Sequence, residues 1–158
     1  MGALLALHLA AAHPELAAVC CYAPALRLKL RLDQILLLSI LAPFVSSVRK
    51  PPSTDDNLWQ GYGVQPLKAT RQLLRLQRAI VPELPAVRQP ILLMQGRLDP
   101  TVHPSAPQVI FDQVGSQVKQ LHWLENSSHC VILDKERQLA SCLTLDFLHQ
   151  VLETPTHT

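Results

Sequence analysis

Two short apolar runs, Ala17 to Tyr22 and Pro90 to Gln95, constrain this chain more than any other feature. A strand that alternates apolar and polar residues can leave one face in water. A run that is apolar at nearly every position has to be covered on both faces, the situation of strands in a parallel sheet flanked by helices. Ala23-Pro24 ends the first run and Gly96 ends the second. A third run, Val118 to Leu124, carries Lys119, Gln120 and His122 and is polar enough to lie near a sheet edge.

Helical patterns separate these strands. Gly2 to His13 is rich in Ala and Leu, is apolar nearly all round and closes at Pro14, which predicts a helix buried on most sides. Ser105 to Val114 predicts another, with Pro107 tolerated in the first turn and Gly115 just past the end. A last helix, capped by Asp134, places Leu139, Leu143, Phe147 and Val151 on one stripe for docking on the sheet. The segment from Arg27 to Pro85 breaks the rhythm: a Leu/Arg stretch, a Pro51-Pro52 hinge with Trp59 and Tyr62, and a helix from Pro66 to Ile80. It is too long for a simple connection and reads as an insertion. The order of elements makes a doubly wound α/β sheet the most economical architecture. A sheet that begins with a buried strand near residue 17 calls for further strands on its other side.

Composition removes several function classes. Fourteen basic and 12 acidic residues give a net charge of +2 with no Lys/Arg cluster, so nucleic acid is not expected as a partner. The opening Met1 to Val19 lacks a basic start and is interrupted by His8, His13, Pro14 and Glu15, unlike a signal peptide. Ala6 breaks the myristoylation pattern. The longest apolar run, Ile35 to Val45, is too short to span a bilayer, so no integral membrane segment is expected. Cys20, Cys21, Cys130 and Cys142 form no C-x-x-C spacing and read as reduced core thiols of a cytoplasmic protein. His8 with His13 and His122 with His129 lack a metal-ligand spacing, and no metal or cofactor is expected.

In open α/β sheets functional groups gather in loops beyond the carboxyl ends of strands. Gly96-Arg97-Leu98-Asp99-Pro100 puts a carboxylate past one strand, and Glu125-Asn126-Ser127-Ser128-His129 puts an imidazole past the next. One helix and one strand separate them, which makes the two loops neighbours. An Asp accepting from one ring nitrogen of a His fixes its tautomer and stabilises the imidazolium, leaving the other nitrogen as a general base. Asp99 and His129 are the candidate catalytic acid and base. Each taken singly has a plainer reading, as a turn carboxylate before proline and as a loop histidine.

From Pro90 to Leu148 the sequence PILLMQGRLDPTVHPSAPQVIFDQVGSQVKQLHWLENSSHCVILDKERQLASCLTLDFL resembles the closing block of the α/β-hydrolase family, in its bacterial carboxylesterase and monoacylglycerol lipase group. Asp99 takes the place of the family's catalytic acid and His129 that of its histidine, in the family order Ser, Asp/Glu, His. At the other end, Met1-Gly2-Ala3-Leu4-Leu5-Ala6-Leu7-His8-Leu9 looks like the helix after the family's G-x-S-x-G nucleophile elbow. Met1-Gly2 would be the last two letters of that pattern, and the serine would directly precede Met1. No G-x-S-x-G occurs within the 158 residues, and Ser128 stands where the family often has Gly.

The resemblance implies the C-terminal half of an α/β-hydrolase fold: residues 1–26 and 86–158 as core, 27–85 as a small helical cap. It implies a serine carboxylic ester hydrolase acting on a small ester or monoacylglycerol without a cofactor. The amide of Met1 would be one oxyanion-hole donor, the other lying upstream. In the cap, Ile35 to Val45 either offers apolar surface for an acyl chain, through Leu37, Leu41 and Phe44, or packs onto the sheet's own core. Two alternatives stay open: a relative with an Asp or Cys nucleophile, and a non-catalytic fragment or interaction module.

Overall fold

The computed structural model describes residues 1–49 and 63–153. The elements in chain order are α1 (Gly2–Ala12), β1 (Val19–Tyr22), α2 (Leu32–Leu41), β2 (Ser47–Arg49), β3 (Val64–Pro66), α3 (Leu67–Ile80), β4 (Ile91–Gly96), α4 (Ser105–Gln113), β5 (Lys119–Leu124) and α5 (Arg137–Glu153). A 3-10 helix, Val81–Ala86, joins α3 to β4.

β1, β4 and β5 form one sheet in the order β1-β4-β5, parallel throughout, with Val19 beside Ile91 and Ile91 beside Lys119. β4 is central and buried along its whole length. Because side chains alternate across a strand, its apolar residues serve two layers. Ile91 and Leu93, with Val19 and Cys21, pack into a core shared with Leu4 and Leu7 of α1, Ile80 of α3, and Ala106 and Ile110 of α4. Leu92 and Met94, with Cys20 and Tyr22, pack against Ala140, Leu143, Phe147 and Val151 of α5. Full burial of each Leu or Ile is worth about 1.5–3 kcal/mol, which is why the two apolar runs can occupy only this two-sided position.

Two side-chain contacts fix the direction of α1. Near its start the Ala3 carbonyl accepts from the Cys21 thiol at the far end of β1. At its end the Gln89 amide, just before β4, donates to the carbonyls of Ala10 and His13 at 2.8 Å. α1 therefore runs antiparallel to the strands, and its N-terminus lies at the carboxyl edge of the sheet.

Several expectations need correction. α1 buries Leu4, Leu7 and Ala10, but Leu5 and Leu9 remain about half exposed, because its neighbours line only one side of it. The last helix starts at Arg137, and Asp134 does not cap it with its side chain. That carboxylate accepts instead from the Ser128 and Lys135 amides, and only the Asp134 backbone carbonyl receives the Arg137 N–H. On α5 the stripe facing the sheet runs through Ala140, Leu143, Phe147 and Val151, whereas Leu139 is exposed. Of the four cysteines, all free thiols, only Cys21 is buried, and Cys142 is exposed.

Between β1 and β4, α2 and α3 pack through a small cluster of Leu38, Ala42 and Leu67. The antiparallel pair β2–β3 in this segment was not foreseen, because three-residue strands leave too short a pattern to detect. The Pro51-Pro52 hinge, Trp59 and Tyr62 lie outside the described residues. The segment is stitched to the loop after β4: Leu28 bridges Val102, the Lys29 amide donates to the Thr101 carbonyl, and the His103 amide donates to Arg27.

Candidate active site

Both candidate residues lie where the strand order puts them, at the carboxyl ends of adjacent strands. Asp99 follows β4, and its side chain is almost entirely buried. Oδ1 accepts from the amides of Thr101 at 2.7 Å and Val102 at 3.0 Å, the self-capping turn expected of an Asp followed by Pro. Oδ2 accepts from Nδ1 of His129 at 2.8 Å and from Nε2 of Gln95 at 2.7 Å. Lys29 adds a contact from outside, its ammonium donating to the Asp99 carbonyl oxygen at 2.5 Å.

Burial alone pushes the Asp99 carboxyl toward the neutral form. The hydrogen bond from His129, the Val102 amide, the charge of the imidazole and the Thr101 amide outweigh it, so the pKa falls below the ordinary carboxylate value. Asp99 stays ionised at neutral pH and can only accept hydrogen bonds. Nδ1 of His129 must then carry the proton, and Nε2 is left as the basic nitrogen. Among the described residues Nε2 has no hydrogen-bond partner, and the ring is 36% exposed. The pair can accept a proton at Nε2, stabilise the imidazolium and return the proton to a leaving group.

The loop that carries His129 is held by two carboxylates from the approach to α5. Glu136 Oε2 accepts from the Asn126 amide at 2.8 Å and from the Ser127 hydroxyl at 2.6 Å. Asp134 Oδ2 accepts from the Ser128 amide at 2.6 Å. Burial raises the Asp134 pKa, but this amide, the Ser128 side chain and the amide and charge of Lys135 bring it below the usual value overall. Beneath the loop, Gly96 ends β4 so close to the Ser127 and Ser128 carbonyls that a Cβ there would collide with both. The Arg97 and Glu125 side chains pair across the two loops at 3.1 Å, exposed to water, and such a pair contributes little.

Met1, the expected oxyanion donor, stands at the N-terminal end of α1, where its carbonyl accepts from Leu4 and Leu5. That end of α1 lies at the same sheet edge as the two loops. Leu37 and Phe44, expected to meet an acyl chain, are 55% and 86% exposed, while Leu41 is half-buried against the Leu38 cluster. None of the three lines the nearby cavity of about 280 Å³, which is bounded by Leu28, Leu30, Leu38, Leu67, Thr70 and Thr101.

Residue-by-residue reading missed Gln95, Asp134, Glu136 and Lys29 as parts of this constellation. Gln95 had a signal, being a polar side chain at the end of an otherwise apolar strand. The others had none, since their partners, backbone groups and the Ser127 hydroxyl, are brought close only by folding. Among the described residues no three His, Cys, Asp or Glu side chains group as metal ligands. No helix among them is long and apolar enough to cross a membrane.

Comparison with known proteins bears on the fold that carries these loops. A carboxylesterase of Bacillus subtilis (strain 168) is 26% identical over 102 residues, which are 65% of this chain and 42% of that protein. A structure from work on LipS and LipT, two metagenome-derived lipolytic enzymes, superposes with a TM-score of 0.82 at 30% identity, over 95% of this chain and 62% of the other. The monoacylglycerol lipase of Paleococcus ferrophilus superposes with a TM-score of 0.72 at 16% identity, over 92% of this chain and 64% of that one, a likeness of fold. The chain thus spans less than two thirds of the length of each of these relatives. The family model described as serine aminopeptidase, S33 matches residues 1–136, and the chain belongs to that family of α/β hydrolases.

Proposed function

We propose that this chain carries the catalytic acid and base of a serine-type carboxylic ester hydrolase. The observation that supports the reading best is the buried Asp99 carboxylate on Nδ1 of a His129 whose Nε2 is accessible and, among the described residues, has no hydrogen-bond partner. In this reading Nε2 removes the proton from a serine hydroxyl as its oxygen attacks the ester carbonyl. The imidazolium, steadied by Asp99, then protonates the departing alcohol, and an acyl-serine remains. Water activated by the same nitrogen hydrolyses that acyl-enzyme. No cofactor enters the reaction.

The serine is the residue expected directly before Met1, completing G-x-S-x-G with Met1-Gly2, and the Met1 amide is then an oxyanion donor. The direction of α1, whose N-terminus lies beside the two loops, supports that placement. The substrate is a small ester or monoacylglycerol. Residues 27–85 serve as the cap, and the exposed apolar side chains of Leu37 on α2 and Phe44 in the turn after it, with half-buried Leu41, supply surface for the acyl chain.

The test begins with the codons upstream of Met1, expected to read Gly-x-Ser in frame, and continues with the protein they encode. It should hydrolyse a chromogenic butyrate ester and be labelled by a serine-reactive phosphonate, with both signals lost in His129→Ala. An Asp or Cys at the elbow position, or turnover that survives His129→Ala, would overturn the reading.

A further inference from the structure

Gln95 sits in the most buried part of the molecule, at the end of the central strand, with about 1% of its surface exposed. Four apolar residues precede it in β4, and every position of the strand is buried. Instead it holds an amide whose Nε2 lies 2.7 Å from Asp99 Oδ2, the same oxygen that receives His129. Its own Oε1 is buried and, among the described residues, has no hydrogen-bond partner.

An unpaired buried carbonyl costs about 1–3 kcal/mol, so a residue that served packing alone would be better replaced. Turning the amide over would aim Oε1 at the carboxylate, which only accepts. The charge on Asp99 therefore dictates the amide orientation, and the stranded Oε1 is the consequence.

We propose that Gln95 is a positioning residue for the reaction, fixing Oδ2 of Asp99 so that the carboxylate faces Nδ1 of His129 in one geometry. Oδ1 is already fastened to the backbone of Thr101 and Val102. With Nε2 of Gln95 on the other oxygen, rotation about the Asp99 Cβ–Cγ bond is stopped at both ends. His129 then inherits a fixed ring plane rather than having to select one. This inference rests on the esterase reading above and deepens it.

The decisive variant is Gln95→Met, made in the protein that joins this chain to its upstream nucleophile. Methionine keeps the length and volume of glutamine and removes both the donor and the stranded acceptor. The thermal midpoint should stay the same or rise, while kcat for a butyrate ester falls about tenfold to a hundredfold with KM unchanged. The downfield proton resonance of His129 Nδ1–H should shift or broaden. In an Asp99→Asn background the same substitution should change kcat by less than about twofold, because the residue acts only through Asp99.

Wild-type kcat and an unmoved resonance in Gln95→Met would show that Gln95 only packs. So would an equal loss of kcat in the Asp99→Asn background, or a variant that no longer folds. The two readings fail separately. If Asp99→Asn is itself fully active, the triad reading fails; if Asp99→Asn is crippled and Gln95→Met is not, only the role of Gln95 fails.

Discussion

Gly96 and Ser128 meet backbone to backbone: the position a Cβ would take on Gly96 is occupied by the Ser128 carbonyl oxygen, with that of Ser127 beside it. The end of β4 and the histidine loop can approach this closely only because residue 96 has no side chain. That closeness is what lets the Leu98 amide donate to the Ser127 carbonyl at 3.0 Å and brings His129 over Asp99.

Gly96→Ala should therefore be costly in two ways. The backbone carbonyls have no flexible end to move aside, so overpacking of about 1–3 kcal/mol is expected in urea unfolding. Displacement of the loop should lower ester turnover more steeply than it lowers stability. A Gly96→Ala protein with normal turnover would mean that the His129 loop can shift without consequence for the site.

Asp99→Asn should leave the fold intact and reduce kcat by about 10³-fold or more in the protein complete with its nucleophile. The amide is nearly isosteric. Its NH2 can no longer accept from both His129 and the flanking donors, so the ring loses its tautomer. His129→Ala should cost as much. Near wild-type turnover in either variant would remove that residue from the mechanism.

The histidine loop depends on carboxylates that hold backbone amides, and acid should loosen it. Asp99 and Asp134 both titrate below the unfolded carboxylate value of about 3.9. A depressed folded pKa means stability that is present above that value and lost as pH falls through the lower, folded one. Unfolding free energy should thus be flat near neutrality and fall below about pH 4. Asp134→Asn should flatten that acid slope, a comparison that urea titrations at pH 7 and pH 3 would settle. An unchanged slope would show that the Ser128 and Lys135 amides do not depend on its charge.

Ala23, directly after β1, has φ of +45°, the left-handed region, where a Cβ is strained. Its amide donates to the Met94 carbonyl and its carboxyl side is followed by Pro24, so the conformation is fixed from both sides. Relief of about 1–2 kcal/mol of strain is offset by the entropy glycine loses on folding, about 0.5–1 kcal/mol, and by loss of the buried methyl, about 0.8 kcal/mol. Ala23→Gly should therefore leave stability within about 1 kcal/mol of wild type, a smaller loss than Ala10→Gly, where a buried helical alanine has no strain to relieve. A drop in the urea midpoint as large at Ala23 as at Ala10 would show that Ala23 carries no strain.

The parallel sheet was legible because β1 and β4 are apolar at nearly every position, and only a two-sided burial accommodates that. The Asp99–His129 pairing was legible for a related reason, since loops after adjacent parallel strands share one edge of the sheet. The resemblance to the closing block of an α/β hydrolase pointed to the same fold, and the family match shows that family. The stripe on α5 was misread by one residue at its start, Leu139 for Ala140, because periodicity gives the width of an apolar face but not the angle at which it docks.

Local chemistry of the chain determined where strands would be buried, where helices would stop, and which two side chains could act as acid and base. Those are properties of a residue and its near neighbours along the sequence. Tertiary structure decided which groups hold that pair in place: Gln95 on one oxygen of Asp99, two amides on the other, Asp134 and Glu136 beneath the loop, and the bare backbone of Gly96 between them. These contacts join a strand end, a turn and the approach to a helix, and most are with backbone groups that every residue possesses. A backbone amide leaves no mark in a sequence, so its partner is known only once the chain has closed around it.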